Sequence, residues 1–183
     1  MFMINFKKQY TSQIIPKLIN KFNFKNIHQV PKIKKIVISS GLGLKAQKMQ
    51  LLKKEIEYLR TISGQHPLQT RAKKSISEFN IRKDMILGLL VTLRRDKMYT
   101  FLEKLIKLYL PRIRDFKGLE LKHFDKFGNY HLGIQDKSIF PELDSIDQDT
   151  GYTVSIVIKS QNLKESFYLL KEFGFPFREK EYL

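Results

Sequence analysis

The stretch from Ser63 to Arg95 combines cations with hydrogen-bonding side chains. Gly64 and Pro67 mark a turn at its start, its middle is basic without an apolar period, and its last nine residues resemble a buried strand. Lysine and arginine bind phosphate oxygens, while hydroxyl and amide groups can bind ribose and base edges. The stretch therefore predicts a basic loop, carried between regular elements of a sheet, that grips RNA.

The residue types needed for enzyme or metal chemistry are poorly arranged. The chain has no cysteine, which excludes disulfides, thiol catalysis and cysteine-based zinc sites. An acidic, exposed loop explains Asp144, Asp147 and Asp149 better than a calcium site, because the glycine and terminal glutamate of a calcium loop are missing. We expect no cofactor and no metal. The four histidines are scattered and have no metal-binding spacing: His28, His66, His123 and His131.

The net charge of +16 is confined to one half of the chain. Residues 1–100 contain 21 Lys and Arg against 5 Asp and Glu, whereas residues 101–183 contain 13 of each. A charge that served only solubility would be spread along the whole chain. The concentration predicts a polyanion as the partner of the first half.

The chain of 183 residues is long enough for one domain with a hydrophobic core. No apolar run approaches the roughly 20 residues that span a bilayer, so no membrane partner is expected. The N-terminal residues lack the core of a signal peptide and an Arg/Ser-rich presequence, so a protein of an organelle would have been made there. Abundant Lys, Ile, Asn and Phe suggest an A/T-rich genome.

The elements that must position these residues follow from hydrophobic periodicity. A break at Pro16 is expected in the first helix, Asp96 is predicted to cap the third, and residues 112–149 form a long irregular loop. The fold class is therefore α+β: one domain over residues 1–183, with a mainly antiparallel sheet, helices on one face and long functional loops. The predicted helices are 6–20, 47–62, 98–110 and 162–173, and the predicted strands are 32–40, 87–95 and 153–159.

Two of these strands each have one apolar and one partly polar face. Alternation in the first strand places Lys35 and Ser39 on the polar face, and in the second it places Thr92 and Arg94 there. If the strands share a sheet, these groups line one surface. We expect this surface to be open enough near Gly88 and Ser39 to admit a sugar–phosphate backbone.

Several motifs resemble one family along nearly the whole chain. The run Pro111-Arg112-Ile113-Arg114-Asp115-Phe116 is the most specific of them. The others are Ser63-Gly64-Gln65-His66-Pro67, Val91-Thr92-Leu93-Arg94, Phe127-Gly128-Asn129-Tyr130 and Ile139-Phe140-Pro141-Glu142. Together these motifs look like the bacterial-type large-subunit ribosomal protein number five, the 5S rRNA-binding protein of the central protuberance.

The resemblance implies a 5S rRNA site on one sheet face and the adjoining loops. Two positions depart from the family pattern: Ser39 stands where asparagine is common, and His66 replaces a usual lysine. The serine loses one arm of an amide, and the histidine removes a charge at neutral pH. The implied 5S rRNA-binding residues are Lys35, Ser39, Gln65, His66, Thr70, Arg71, Thr92 and Arg94.

The resemblance also implies further ribosomal partners: large-subunit rRNA, peptidyl-site tRNA, other central-protuberance proteins and protein thirteen of the small-subunit head. The residues implied to contact the tRNA are Lys73, Lys74, Ser75, Phe79, Ile81 and Arg82. Those implied to form a bridge to the small subunit are Arg112, Arg114, Lys117, Gln135, Phe140 and Pro141.

Alternatives remain open within this interpretation. Arg112 and Arg114 could pair with Asp115 or Asp125 inside the loop instead of binding a partner. For the three aromatic residues of the loop, packing is favoured over stacking on a base; they are Phe116, Phe124 and Phe127.

Other functions and compartments are also possible. One is an RNA-processing enzyme that uses His123, His131 and Asp125, and another is a DNA-coating protein. For the compartment, a plastid is favoured over a mitochondrion or an A/T-rich bacterium.

Overall fold

The structure, a computed structural model, describes residues 6–143 and 150–178. The predicted acidic loop at Asp144, Asp147 and Asp149 lies outside the described residues. The chain divides into two compact units, each a group of residues whose Cα atoms lie close to one another. The described residues of the first unit are 6–36, 94–132 and 155–178. Those of the second unit are 37–93, 133–143 and 150–154.

The described part of the chain is an α+β fold whose helices alternate with strands. A π-helical segment, Tyr10–Ile14, joins the first two helices, and another, Leu105–Tyr109, extends the fourth. Short 3₁₀ turns complete several loops. The α-helices are α1 Phe6–Gln9, α2 Ile15–Phe22, α3 Met49–Ser63, α4 Arg95–Lys104 and α5 Leu163–Glu172.

Five strands form one antiparallel sheet in the order β2-β3-β1-β5-β4. Strand β2 pairs with β3 so that Thr70 lies opposite Gly88 and Leu68 opposite Leu90. The backbone N–H of Leu42 donates to the carbonyl oxygen of Leu87 (3.0 Å) just beyond β1. The strands are β1 Lys32–Gly41, β2 Leu68–Arg71, β3 Ile86–Leu93, β4 Tyr130–Ile134 and β5 Tyr152–Lys159.

The core of the second unit confirms the predicted alternation. In β3, Leu89, Val91 and Leu93 are buried, as expected for one face of a strand that covers a core. Helix α3 directs its apolar stripe inward and contacts β3. The buried members of that stripe are Leu52, Leu59 and Ile62.

The first unit contains a cluster of aromatic rings around Phe173. Its ring lies 5.6 Å from that of Phe6, 6.0 Å from Tyr10 and 6.4 Å from Tyr99. The predicted break at Pro16 corresponds to the π-helical segment just before α2, which is a common way for a helix to accommodate a proline.

Three structural predictions were wrong in detail. Asp96 does not cap α4: the helix begins at Arg95, no side chain caps it, and Asp96 forms an ion pair with Lys7 (2.7 Å). Strand β2 lies in a region predicted to be loop. The segment 112–149 is not wholly irregular, because it contains β4 and two single 3₁₀ turns.

In the part of the chain that the structure describes, no helix is long and apolar enough to cross a membrane. The same residues contain no group of three or more His, Asp or Glu side chains that could hold a metal ion.

Candidate nucleic-acid interface

The second unit has an open sheet face formed by half-buried residues. Along β1 this face carries Val37 and Ser39, and along β3 it carries Leu90 and Thr92. Thr70 shares it, because directly opposed residues of antiparallel strands point to the same side and Thr70 opposes Gly88. Three hydroxyl groups predicted to bind RNA therefore lie on one surface: those of Ser39, Thr70 and Thr92.

Gly88 does not open a space for a ligand, contrary to the sequence-based expectation. A Cβ atom at this position would lie 2.6 Å from the backbone oxygen of Ser40 and 3.1 Å from Oγ1 of Thr70. The glycine is required because β1 and β2 both approach β3 closely here, and the residue is buried. The hydroxyl of Ser39 makes only a long hydrogen bond, 3.5 Å, to the carbonyl oxygen of Thr153.

Gln65 is held by the C-terminal end of α3. Gly64 adopts the left-handed conformation (φ 64°) that ends the helix, and its N–H donates to the carbonyl oxygen of Arg60 (2.8 Å). The backbone N–H of Gln65 then donates to the hydroxyl of Ser63 (3.2 Å). Within the described residues, the side-chain amide of Gln65 has no hydrogen-bond partner. A fixed backbone with an available amide suits direct recognition of a ligand.

The remaining residues of the predicted 5S rRNA site divide between the units. His66 is exposed next to Gln65, and Arg71 is exposed at the end of β2, so both belong to the second unit with the open sheet face. Lys35, half-buried in β1, and Arg94, exposed directly after β3, belong to the first unit.

A basic loop, residues 72–85, projects from the second unit as an irregular hairpin. Its base is closed by Ala72, whose N–H donates to Met85 (2.8 Å) and whose carbonyl accepts from Asp84 (3.0 Å). Nearer the tip, Ile76 and Ile81 form an antiparallel bridge (2.8 and 3.1 Å). The sequence predicted a loop here, but not these internal hydrogen bonds.

The predicted tRNA-contacting side chains are displayed on this loop. Ser75 also stabilises the loop, since its hydroxyl accepts from the N–H of Lys83 (2.9 Å). The ring of Phe79 is 58% exposed, although a phenylalanine that served packing would be buried. Ile81 is half-buried, and the other exposed members of the set are Lys73, Lys74 and Arg82.

The predicted small-subunit bridge is also divided between the units. Arg112, in a 3₁₀ turn, and Arg114, just after it, are exposed in the first unit and have no ion-pair partner among the described residues. The alternative that they pair with Asp115 or Asp125 is therefore wrong in this structure. Lys117 is exposed, and its carbonyl oxygen accepts from Nε of Arg178 (3.1 Å).

In the second unit, Gln135 and Pro141 are exposed, but Phe140 is not. Its ring is only 1% exposed and packs edge-on against Tyr152 with ring centres 5.9 Å apart. Phe140 thus serves the core of the second unit, and its ring cannot contact a partner in this conformation.

The carboxylate of Asp125 organises the hairpin that joins Phe124 to Tyr130. It accepts hydrogen bonds from the backbone N–H groups of Phe127 (2.9 Å) and Asn129 (2.7 Å), and from the Asn129 amide (2.7 Å). Burial acts to raise the pKa of Asp125, but these hydrogen bonds outweigh it and hold the pKa below its ordinary value. Asp125 thus has a structural role.

The loop phenylalanines behave differently from one another. Phe124 packs as predicted, with its ring 4.8 Å from that of Tyr130 and 6.0 Å from that of Phe177. Phe127, at the tip of the same hairpin, is 81% exposed, so the packing prediction is wrong for this residue. Phe116 is half-buried.

Comparison with known sequences identifies the family to which this chain belongs. Residues 26–82 match the family described as ribosomal protein L5, and residues 86–177 match the C-terminus of the same ribosomal family. This chain belongs to the ribosomal protein L5 family. The resemblance predicted from the sequence motifs is confirmed.

Three relatives illustrate how far the similarity extends. The large ribosomal subunit protein uL5c of the alga Stigeoclonium helveticum is 51% identical, covering 93% of this chain and 96% of that protein. The uL5c of Oedogonium cardiacum is 49% identical over 94% and 97% of the two chains. The uL5 of the cyanobacterium Trichodesmium erythraeum is 51% identical over 94% and 96%.

Membership in this family makes the chain a structural constituent of the large ribosomal subunit rather than an enzyme. Ribosomal RNA and ribosomal proteins are therefore its partners. The chloroplast-type algal relatives, with cyanobacterial relatives close behind, support a plastid ribosome as its location. Both conclusions agree with the sequence-based predictions.

Proposed function

We propose that this L5-family protein binds 5S rRNA and anchors it in the central protuberance of the large subunit. The observation that carries the proposal is the open sheet face of the second unit, where Ser39, Thr70 and Thr92 direct hydroxyl groups to one side. Hydroxyl and amide groups recognise ribose 2′-hydroxyls and base edges, which are present in RNA and absent from a simple polyanion. Gln65 and Arg71 add an amide and a cation in the same unit.

Within this proposal, Lys35 and Arg94 of the first unit supply phosphate contacts, and His66 supplies a hydrogen bond from its imidazole ring. The departure at Ser39 weakens one contact relative to asparagine, because a hydroxyl cannot donate and accept along two separate arms as an amide does. Large-subunit rRNA and neighbouring central-protuberance proteins complete the surroundings of the bound protein.

The basic loop has a separate task in the proposal: it contacts peptidyl-site tRNA. Its internal hydrogen bonds fix the backbone of a loop that exposes the cations Lys73, Lys74 and Arg82. Phe79 and Ile81 supply apolar surface for a sugar or base. The exposed Arg112, Arg114, Lys117, Gln135 and Pro141 contact the small-subunit head and its protein thirteen.

The central test is titration of the purified chain against a 5S rRNA transcript, with an unrelated RNA of equal length as competitor. If about six phosphates are contacted, affinity should fall about a thousandfold between about 50 and 200 mM salt. Gln65→Ala should weaken binding about two- to tenfold, the effect of one lost hydrogen bond of about 0.5–1.5 kcal/mol. The matched control is Gln50→Ala, because Gln50 is exposed near the start of α3. Equal affinity for both RNAs would refute the proposal.

The division between the two surfaces has its own test. Lys73→Gln combined with Arg82→Gln should leave 5S rRNA affinity within about threefold of wild type, yet lower the occupancy of peptidyl-site tRNA on ribosomes that contain the variant. Arg112→Gln with Arg114→Gln should lower subunit association instead. If the loop variant lost 5S rRNA binding as strongly as Gln65→Ala, the two surfaces would not be functionally separate.

A further inference from the structure

In the first unit, six cations of the described residues line an open groove of about 740 Å³, and no sequence motif singled them out as a group. The start of β1, the residues after β3 and the end of β5 lie at the same end of the three central strands, because these neighbouring strands are antiparallel. Helix α1 contributes Lys7 to the lining. The cations are Lys7, Lys32, Lys34, Arg94, Arg95 and Lys159.

The positive charge of the groove is almost uncompensated. Asp96 pairs with Lys7 (2.7 Å), but the two side chains are 75% and 56% exposed, so this ion pair contributes little. Among the described residues, the other five cations have no ion-pair partner. Crowded like charges oppose folding, and their field attracts anions. A groove of this kind is typical of a protein with a polyanionic partner.

The floor of the groove is apolar and fixed. Ile33 and Met98 are 5% and 2% exposed. Tyr99 is half-buried, and its ring stacks on that of Tyr10 at 6.3 Å. A surface of this composition suits a ligand that alternates charged groups with less polar ones. Among the described residues that line the groove there is no asparagine or glutamine, so these residues supply none of the amide groups that commonly read base edges.

These features distinguish between classes of anion. A single inorganic phosphate would engage only a few of the six cations, whereas consecutive phosphates of a nucleic-acid strand can engage most of them. Ribose rings between the phosphates can lie against Met98 and Tyr99. We propose that this groove binds the sugar–phosphate backbone of a ribosomal RNA strand without reading its sequence. This inference rests on the proposed RNA-binding function and adds a second contact to the open sheet face.

The test compares two triple variants of equal charge. The groove variant carries Lys32→Gln, Lys34→Gln and Lys159→Gln, which leaves Arg94 and the Lys7–Asp96 pair intact. The control carries Lys25→Gln, Lys126→Gln and Lys164→Gln, three exposed lysines of the first unit that do not line the groove. Each is titrated against the 5S rRNA transcript, a large-subunit rRNA fragment and an unrelated RNA, over a range of salt concentrations.

The groove variant should reduce the slope of log affinity against log salt by about two to three, since each phosphate contact contributes about 0.7–0.9. The loss should be shared by at least one ribosomal RNA and the unrelated RNA, because backbone contacts carry no sequence information. The control should change the slope by less than about one. At low salt, the groove variant should also unfold at a temperature equal to or above that of the control, because repulsion is relieved.

Two results would overturn the inference. One is a groove variant that binds every RNA as the control does, which would leave an acidic protein as the occupant. The other is a loss confined to 5S rRNA, which would make the groove part of a sequence-reading site. Failure of the proposed function looks different: the wild type would show no preference for 5S rRNA, whatever the groove variant does.

Discussion

Lys137 and Glu55 form an ion pair inside the second unit, with side chains 0% and 2% exposed. The Lys137 ammonium also donates to the hydroxyl of Thr150 (2.5 Å), which donates to Glu55 (2.9 Å). The hydroxyl of Tyr152 donates to the other oxygen of Glu55 (3.0 Å). Burial and the negative charge of Glu55 raise the pKa of Tyr152, so its hydroxyl stays protonated and remains a donor.

Removing only the cation should therefore strongly destabilise the second unit. Lys137→Met leaves the Glu55 carboxylate buried with two hydroxyl donors and no counter-charge, and we expect a loss of about 3–5 kcal/mol in the free energy of unfolding. Urea denaturation followed by circular dichroism measures it. The matched control Lys53→Met changes an exposed lysine of α3 and should stay within about 0.5 kcal/mol. Equal, small effects would mean that the pair does not hold the unit together.

Replacing both members should restore much of the stability. In Glu55→Leu with Lys137→Met, no charge is left buried, and apolar side chains of similar size fill the space, an exchange that is often neutral or favourable. Recovery should be incomplete, because the hydroxyls of Thr150 and Tyr152 lose their acceptor. A double variant as unstable as Lys137→Met would show that packing, and not the unpaired charge, caused the loss.

The amphipathic pattern of α3 was predicted correctly: Leu52 and Leu59 point inward, whereas Lys53 and Glu57 point outward. Helical spacing also places Glu55 on the inward side, three residues after Leu52 and four before Leu59. A carboxylate there signals a buried partner, but the partner is 82 residues away in sequence and follows β4. Spacing alone cannot identify such a pair, because it is created by the tertiary fold.

The same limit explains why the strand β2 was not predicted. The four-residue strand β2 has no buried position and owes its conformation to pairing with β3. In contrast, β4 alternates cleanly, with Tyr130, Leu132 and Ile134 buried, so its five residues carry the local pattern of a strand within the loop-like surroundings. The basic loop was predictable from its charges, whereas the burial of Phe140 was not.

Gly88 offers a test of the close approach of strands in the second unit. Gly88→Ala would place its methyl group 2.6 Å from the backbone oxygen of Ser40, which cannot move without disturbing β1. We expect a loss of about 1–3 kcal/mol in unfolding free energy, typical of overpacking. Gly41→Ala is the control, since a Cβ atom there meets nothing within 4 Å. Thermal unfolding of both variants decides, and a Gly88→Ala protein as stable as wild type would contradict the crowding.

The hairpin around Asp125 should loosen in acid. Because the folded-state pKa of Asp125 lies below its ordinary value, its contribution to stability is complete above about pH 4 and is lost as the pH falls through the folded pKa. The amide proton shifts of Phe127 and Asn129, followed by NMR, should titrate with a midpoint below about 3.9. Asp125→Asn keeps an acceptor and should abolish the titration. A midpoint at or above that of ordinary aspartate would exclude these hydrogen bonds.

Phe124 and Phe127 lie on one hairpin, three residues apart, and only truncation of Phe124 should destabilise the protein. Phe124→Ala removes edge-on packing against Tyr130 and stacking against Phe177, contacts that each contribute about 0.5–1.5 kcal/mol beyond area burial, so a loss of about 2 kcal/mol is expected. Phe127→Ala should change stability by less than about 0.5 kcal/mol, because its ring is 81% exposed. Urea unfolding of the two variants measures the difference directly. A Phe127→Ala protein as destabilised as Phe124→Ala would contradict this prediction, because it would mean that the ring packs in the core. A large exposed ring that contributes nothing to folding is available to a partner.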